Sequence, residues 1–279
     1  MPSANYIRPL DLRAYRERGY DFPIRVIHPE RAAALHGRFL EYIAGHSEQL
    51  QALAPRDQYA PLSETHVSLR WVYGMVSDSN VLDAVEAILG PDLLVWSSRW
   101  FSKLPGEKTF VSWHQDATYW GLHPPHVTTA WVALSDSTRE NGCMRVIPGT
   151  HLDPLLPQND TYHPDNALSR GQEIAVAVDE SLAVDIVLAP GEMSMHHIGI
   201  VHGSEANTSG KPRIGLAVRY ITPDVRQDGV DRPTGMLVRG RDRFGNFELL
   251  DPPESDVDSR AAALQQAIVG KVRTSIMRK

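Results

Sequence analysis

The chain has 279 residues, 22% of them charged, with a net charge of −6, a size that one β-rich domain with insertions can fill. No Lys/Arg block is present, which argues against nucleic acid or acidic lipid as a partner, and no apolar run reaches the length of a membrane span. The single cysteine, Cys143, rules out an intrachain disulfide and suits a reducing compartment. The polar start from Met1 to Arg13 lacks the apolar core of a signal peptide, so a cytoplasmic protein is expected.

Ile24–Ile27 reads as a first strand. Beyond His28-Pro29, Leu35, Phe39 and Ile43 recur at helical spacing and stop near Gly45. Residues 47–60, polar and containing Pro55, are expected to form a loop. Helices are predicted near Ser63–Met75 and over Asn80–Leu89, the second with Val81, Leu82, Val85, Ile88 and Leu89 on one stripe. All three helices read as scaffold packed on a sheet. From residue 92 the pattern changes to strands: Leu93–Trp96, the stretch around His114, Val127–Leu134 (apolar enough to be buried on both faces) and Cys143–Ile147. Further strands are expected at Ile174–Val178, Ala183–Leu188, Met193–His197 and Ile214–Ile221. Pro105-Gly106, Asn141-Gly142 and Pro148-Gly149 mark turns. Residues 152–172 are polar and without period, a long loop of the kind that is often functional. Arg239–Leu250 reads as an ordered loop and Asp256–Val272 as a helix burying Leu264, Ile268 and Val272. Many short strands of even spacing predict a mainly β fold with flanking helices and a jelly-roll core.

Within Phe110–Gly121, His114 and Asp116 stand two apart. On an extended strand such residues share a face, so an imidazole and a carboxylate would converge on a divalent metal. Two histidines and one carboxylate on one side of the metal is the arrangement of non-haem Fe(II) oxygenases. The second histidine could be His196, His197 or His202. The first two face opposite ways if extended, and spacing alone does not choose among the three.

His114-Gln115-Asp116, with the later His202-Gly203-Ser204, Asn207, Ser209 and Arg213, resembles the phytanoyl-CoA dioxygenase family of Fe(II)/2-oxoglutarate oxygenases. The run Thr118–Asp136 and the stretch Glu140–His151 resemble it too, and the likeness extends over about residues 70–222. The resemblance implies a double-stranded β-helix, cupin-like core over about 92–222. A helical part at 28–90 and a C-terminal loop and helix at 223–279 would complete one domain of 1–279. In that family the second histidine precedes an arginine by eleven positions, an interval that His202 and Arg213 have and His196 and His197 lack. His202 is thereby implied as the third ligand beside His114 and Asp116.

The resemblance also implies 2-oxoglutarate and O₂ as co-substrates. Arg213 would take the distal carboxylate of the keto acid, since a guanidinium offers a planar bidentate donor. Ser204 would add a hydroxyl and Trp131 would pack against the co-substrate. Arg219, even in offset from Arg213, is a rival for the same task. In similar halogenases a small residue stands where Asp116 stands, so a carboxylate there favours hydroxylation. For a small-molecule substrate the candidates are Lys103, Tyr119, Trp120, His123, Arg145 and the loop 152–172; no basic cluster suited to a CoA diphosphate stands out. A cupin-type metalloenzyme that does not use 2-oxoglutarate and a non-catalytic family member are the alternative readings. Oligomeric state is not readable from the sequence.

Overall fold

Two mainly antiparallel sheets facing one another account for most of the strands, and helices cover the outer face of the larger sheet. The computed structural model describes residues 8–52, 59–256 and 259–277. The expected features at Met1–Ile7, at Pro55 and at the side chain of Val272 lie outside the described residues.

Helix α1 (Leu12–Arg18) is capped by the Asp11 carboxylate, which accepts from the Ala14 N–H at 3.0 Å. Strand β1 (Tyr20–Arg25) starts four residues before the expected strand. Val26 and Ile27 leave the ladder and donate to the Gly191 carbonyl instead. Helix α2 (Pro29–Gly45) places proline in its first turn, where no N–H is missed, and buries Ala32, Leu35 and Phe39. The expected loop at 47–60 contains two short helices, α3 (Ser47–Gln51) and α4 (Tyr59–Leu62).

The helix predicted near Ser63–Met75 is shorter than expected: α5 spans Arg70–Val76. Ahead of it, Thr65–Val67 is a 3-10 turn and Ser63 bridges to Arg99. Tertiary hydrogen bonds explain the loss of helix. The Glu64 N–H donates to the Ser98 carbonyl at 2.8 Å, the Trp100 indole to Thr65 Oγ1 at 2.9 Å, and His66 Nδ1 meets Ser98 Oγ at 2.8 Å. Helix α6 (Ser79–Leu89) follows, capped by the Asp78 carboxylate, which accepts from the Asn80 N–H at 3.0 Å.

The strands then come in order: β2 (Leu93–Lys103), β3 (Val111–His114), and, after the one-turn helix α7 (Ala117–Trp120), β4 (Leu122–His123) and β5 (Val127–Ala133). Strands β6 (Arg145–Ile147), β7 (Gln158–Asp160), β8 (Gln172–Ile174) and β9 (Val184–Asp185) are short. Strands β10 (Glu192–His197), β11 (Val201–Ser204) and β12 (Arg213–Ile221) return to the core, and β13 (Arg226–Gln227) pairs with β4. Strands β14 (Thr234–Arg239) and β15 (Glu248–Leu249), neither of them expected, extend the edge of the large sheet. The large sheet has the order β1-β10-β5-β12-β2-β14-β15 and the small one β3-β11-β6-β9.

The period of two along each strand divides the large sheet chemically. Leu216, Val218 and Tyr220 of β12, with Trp100, Ala130, Val132, Met193 and Met195, join the core beneath α2, α5 and α6. There Trp100 packs against Phe39 and Trp71, with ring centres 4.5 and 5.6 Å apart. The alternate residues face the small sheet: Lys103 pairs with Arg213, Phe101 with Gly215, Arg99 with Ala217 and Ser97 with Arg219. Trp131 and Thr129 of β5 stand beside Ala217 and Arg219 in the same rows. Strand β5 is buried along its whole length, as its composition predicts.

Two expectations need correction. Residues 152–172 are not structureless: β7 and β8 form a ladder, Phe110 bridges to Asn166, and Asn166 Nδ2 donates to Ser112 Oγ at 2.7 Å. Polar bonds rather than an apolar face hold the segment, so it carries no period. In the C-terminal helix α8 (Ser259–Met277), Leu264 is 41% exposed, whereas Gln265, Ile268 and Val269 are buried. Gln265 Nε2 donates to the Ser63 carbonyl at 2.7 Å, which turns the helix away from a leucine-centred stripe. No helix among the described residues is long and apolar enough to cross a membrane.

Candidate active site

His114 and His202 face each other as a cross-strand pair of β3 and β11, with ring centres 4.0 Å apart. Asp116 completes the cluster, and one donor atom from each of the three lies within 4.8 Å of the others. Strand alternation is not what brings Asp116 in. Strand β3 ends at His114, and Asp116 already has helical backbone angles, φ −59° and ψ −36°, as the cap residue of α7. An aspartate at that position ordinarily caps its helix, but here its side chain makes no cap bond. The N–H groups such a cap would take, those of Thr118 and Tyr119, donate instead to the Gln115 and Asp116 carbonyls at 3.3 and 3.1 Å, and the Ala117 N–H donates to the Ile198 carbonyl at 3.0 Å. The carboxylate is thus free to turn to the histidines, 3.4 Å from His114 Nε2 and 3.9 Å from His202 Nε2.

The imidazoles are oriented by carbonyls: His114 Nδ1 donates to Ser112 at 2.9 Å and His202 Nδ1 to Ile200 at 3.0 Å. A carbonyl can only accept, so each Nδ1 carries the proton and each Nε2 lone pair points into the cluster. This is the outer-shell arrangement of metal-binding histidines. Burial holds His202 well below the ordinary histidine range, and therefore neutral. Burial acts to raise the Asp116 carboxyl, but His114, His202 and Arg219 outweigh it and hold the group below its usual range. Two imidazoles and one carboxylate with open space beside them fit a divalent metal of intermediate hardness.

Of the three candidate late histidines, His202 is the one in the cluster. His196 lines the same cavity, its ring 5.1 Å from that of His202, and its Nδ1 finds no partner. His197 turns away and accepts from the Gly199 N–H at 3.0 Å.

Arg213 is buried, its guanidinium 5.4 Å from the Trp131 ring centre. Its Nη1 donates to the Gly142 carbonyl, while Nε meets no acceptor. A glycine is needed at 142: φ is +76°, and an added Cβ would lie 2.3 Å from the Glu205 carbonyl oxygen. Gly215 has a different reason, since a Cβ there would sit 2.2 Å from the Trp131 ring. Trp131 therefore lies flat across β12 beside Arg213. Burial pulls the guanidinium down to about 10, and no carboxylate lies within ion-pair distance of it among the described residues. A buried cation with an orphaned donor fits an incoming carboxylate.

Lys103, a sequence candidate for substrate contact, stands instead at the Arg213 end of the site. Its Nζ donates to Ser204 Oγ at 2.7 Å and to the Glu205 carbonyl. Burial, and then Arg213, push its amine down to about 6 from an ordinary 10.5. Between those values the unfolded chain binds a proton that the folded one does not, so this group makes stability rise as pH climbs from about 6 towards 10.5. We expect Lys103→Met to flatten that rise, as read by urea unfolding at pH 6.5, 8 and 9.5.

The remaining candidates divide. Tyr119 and Trp120 line the cavity next to His114 and Asp116. The Tyr119 hydroxyl is buried without a partner. Arg145 does not line that cavity; it is engaged by Glu180, Asp185 and Glu205 at 2.6, 3.2 and 3.2 Å and lies over Trp113. His123 is exposed and paired with Asp228 at 3.1 Å. Sequence reasoning missed Arg99 and Phe101, which line the cavity. Parity with Lys103 would have found them had β2 been extended past Trp96.

Gln115, between the two ligands, is fully buried. Its Nε2 donates to the Gly199 carbonyl at 2.7 Å and its Oε1 accepts from the Leu156 N–H at 2.8 Å. It ties the metal turn to the β10–β11 connection and to the 152–172 segment. Gln115→Ala strands the buried Gly199 carbonyl and the half-buried Leu156 N–H, and we expect a loss of about 1–3 kcal/mol in urea unfolding.

Two packed, mainly antiparallel sheets with a His–Asp–His cluster between them define a jelly-roll protein with three side chains that could hold a metal ion. Residues 15–215 match the phytanoyl-CoA dioxygenase (PhyH) family, and the chain belongs to it. Among solved structures it is similar to one described as "non-heme monooxygenase; ThoJ apo", 32% identical with a TM-score of 0.82, over 96% of this chain and 99% of that one. The fold is shared with "CytC3 with Fe(II) and alpha-ketoglutarate", 21% identical with a TM-score of 0.63, over 90% of this chain and 98% of that one. The peroxisomal phytanoyl-CoA dioxygenase of Bos taurus is 26% identical over 183 residues, which are 61% of this chain and 54% of that protein. The chain spans about half the length of the curated relatives it matches.

Proposed function

We propose that this chain is an Fe(II)- and 2-oxoglutarate-dependent oxygenase that hydroxylates an unactivated C–H bond of a small molecule. The observation that carries this is the facing His114–His202 pair with the uncapped Asp116 carboxylate, in one cavity with the buried Arg213. When bound, ferrous iron with 2-oxoglutarate and O₂ supplies the oxidising chemistry, with succinate and CO₂ as products. His114 and His202 would hold the iron through Nε2, and Asp116 through its carboxylate. Arg213, steadied by Gly142 and Trp131, would take the distal carboxylate of the keto acid, with Ser204 beside it under the hold of Lys103. Phe101, Tyr119, Trp120 and Leu168 shield the cavity from bulk water. Asp116 fills the position that a halide would need, which favours hydroxylation.

Two other readings are separated by the same experiment. A cupin-type enzyme without 2-oxoglutarate has no use for a buried guanidinium lacking an acid, and a non-catalytic binder has no need of an open metal face. Anaerobic titration with Fe(II) and 2-oxoglutarate is expected to give a weak visible charge-transfer band only when both are present. Admission of O₂ is then expected to release succinate. A band that forms without the keto acid, or no succinate across a substrate screen, would refute the oxygenase reading. We also propose a cytoplasmic location, because the one cysteine is buried and unpaired; cell fractionation checks it.

A further inference from the structure

Thr129 and His196 stand directly opposite one another on the neighbouring strands β5 and β10. Side chains in that relation start about 4.5–5.5 Å apart at Cβ. Both face the small sheet, because Ala130 and Val132 of β5 and Met193 and Met195 of β10 turn the other way, into the core beneath the helices. They are 1% and 3% exposed, and both line the cavity that holds His114, Asp116 and His202. Neither is satisfied: Thr129 Oγ1 and His196 Nδ1 meet no hydrogen-bond partner. Thr128, the next residue and turned the other way, shows the ordinary outcome, its Oγ1 meeting the Tyr15 hydroxyl at 2.9 Å. A buried polar atom without a partner is destabilising, so two of them side by side on one cavity wall mark a place for a ligand atom.

The chemistry of that atom follows from the pair. A threonine hydroxyl both donates and accepts. Burial pushes the His196 imidazole down to about 4, so the ring is uncharged and has one nitrogen to donate and one to accept. An ion brought out of water against two uncharged groups loses more hydration than they return. Arg219, on the other flank of Thr129, already lies in the field of the Asp116 and Glu64 carboxylates. An alcohol hydroxyl, which donates once and accepts twice, matches the pair. The walls beside it are apolar: Phe101, Trp131, Leu168 and Ala217 line a space of about 500 Å³.

We propose that the substrate is an uncharged molecule with an apolar body, whose hydroxyl group is held between Thr129 and His196 beside the metal. Those two residues then determine specificity. This rests on the oxygenase reading above, in which Arg213 serves the keto acid.

The test uses the full-length protein saturated with Ni(II) and 2-oxoglutarate. Benzyl alcohol and 2-phenylethanol are the probes, compared with toluene and ethylbenzene, which lack the hydroxyl, and affinity is read by ligand-observed NMR. The alcohols are expected to bind about 10-fold tighter than the hydrocarbons. Thr129→Val keeps the shape of the side chain; it is expected to weaken the alcohols by about 10-fold and leave the hydrocarbons in place, with Thr129→Ser recovering the loss. His196→Leu is expected to weaken the alcohols likewise. Because Oγ1 has no partner in the free protein, Thr129→Val is also expected to hold or raise the melting temperature. Equal or undetectable binding of alcohols and hydrocarbons overturns the proposal, as does an alcohol preference that Thr129→Val leaves unchanged. A melting temperature lowered by Thr129→Val overturns it by giving the hydroxyl a structural partner, and a loss of 2-oxoglutarate affinity in that variant by assigning the pair to the co-substrate. Failure of Ni(II) and 2-oxoglutarate to bind the wild type would instead overturn the reading beneath it.

Discussion

Asp116→Ala is expected to abolish succinate formation and to weaken divalent metal binding by more than about 100-fold. Partners outside the first coordination shell alone are worth about 10- to 100-fold in metal affinity, and Asp116 supplies the one anionic donor of the cluster. The substitution does not uncap α7, because the carboxylate makes no cap bond and the Thr118 and Tyr119 N–H groups are held by the Gln115 and Asp116 carbonyls. Folding should therefore survive, and calorimetric titration with Fe(II) under argon should isolate the loss of metal from any loss of structure. Asp116→Ala protein that binds metal as the wild type does and still turns over would refute the ligand assignment.

Arg213→Gln is expected to remove 2-oxoglutarate binding while metal binding persists. The wild-type guanidinium is buried, donates to Gly142 and keeps Nε unpartnered. A charge-assisted bidentate contact to a carboxylate is roughly twice as strong as a neutral one, and an amide cannot supply the charge. Loss of affinity by about 100-fold or more is the expected result, following from about 3 kcal/mol for bonds to a charged group. Anaerobic titration read by the charge-transfer band checks it. Unchanged affinity in this variant, with loss in Arg219→Gln, would exchange the roles of the two arginines.

The sequence made some of this visible and hid the rest for identifiable reasons. His114 and Asp116 stand out because they are two residues apart, although the device that joins them is a turn into α7 rather than an extended strand. His202 could be separated from His196 and His197 only through the family resemblance, because β10 stops at His197 and β11 begins at Val201. A turn between them resets the parity on which spacing arguments depend. The scaffold helices were readable where the apolar stripe met a sheet, as in α2 and α6. They were not readable where buried polar bonds took over, as at Ser63–Ser68 and along Gln265 of α8. Arg99 escaped for a related reason. Polar residues alternating with apolar ones in a strand usually mark a solvent face, and here that face looks into the molecule.

The division of β2, β5 and β12 into two independent sets of side chains makes this chain amenable to retargeting. Positions 97, 99, 101 and 219 project into the cavity, whereas Trp100, Leu216, Val218 and Tyr220 anchor the helices behind the sheet. Libraries confined to the inward set would change what the cavity accepts while leaving in place the side chains that pack against the helices.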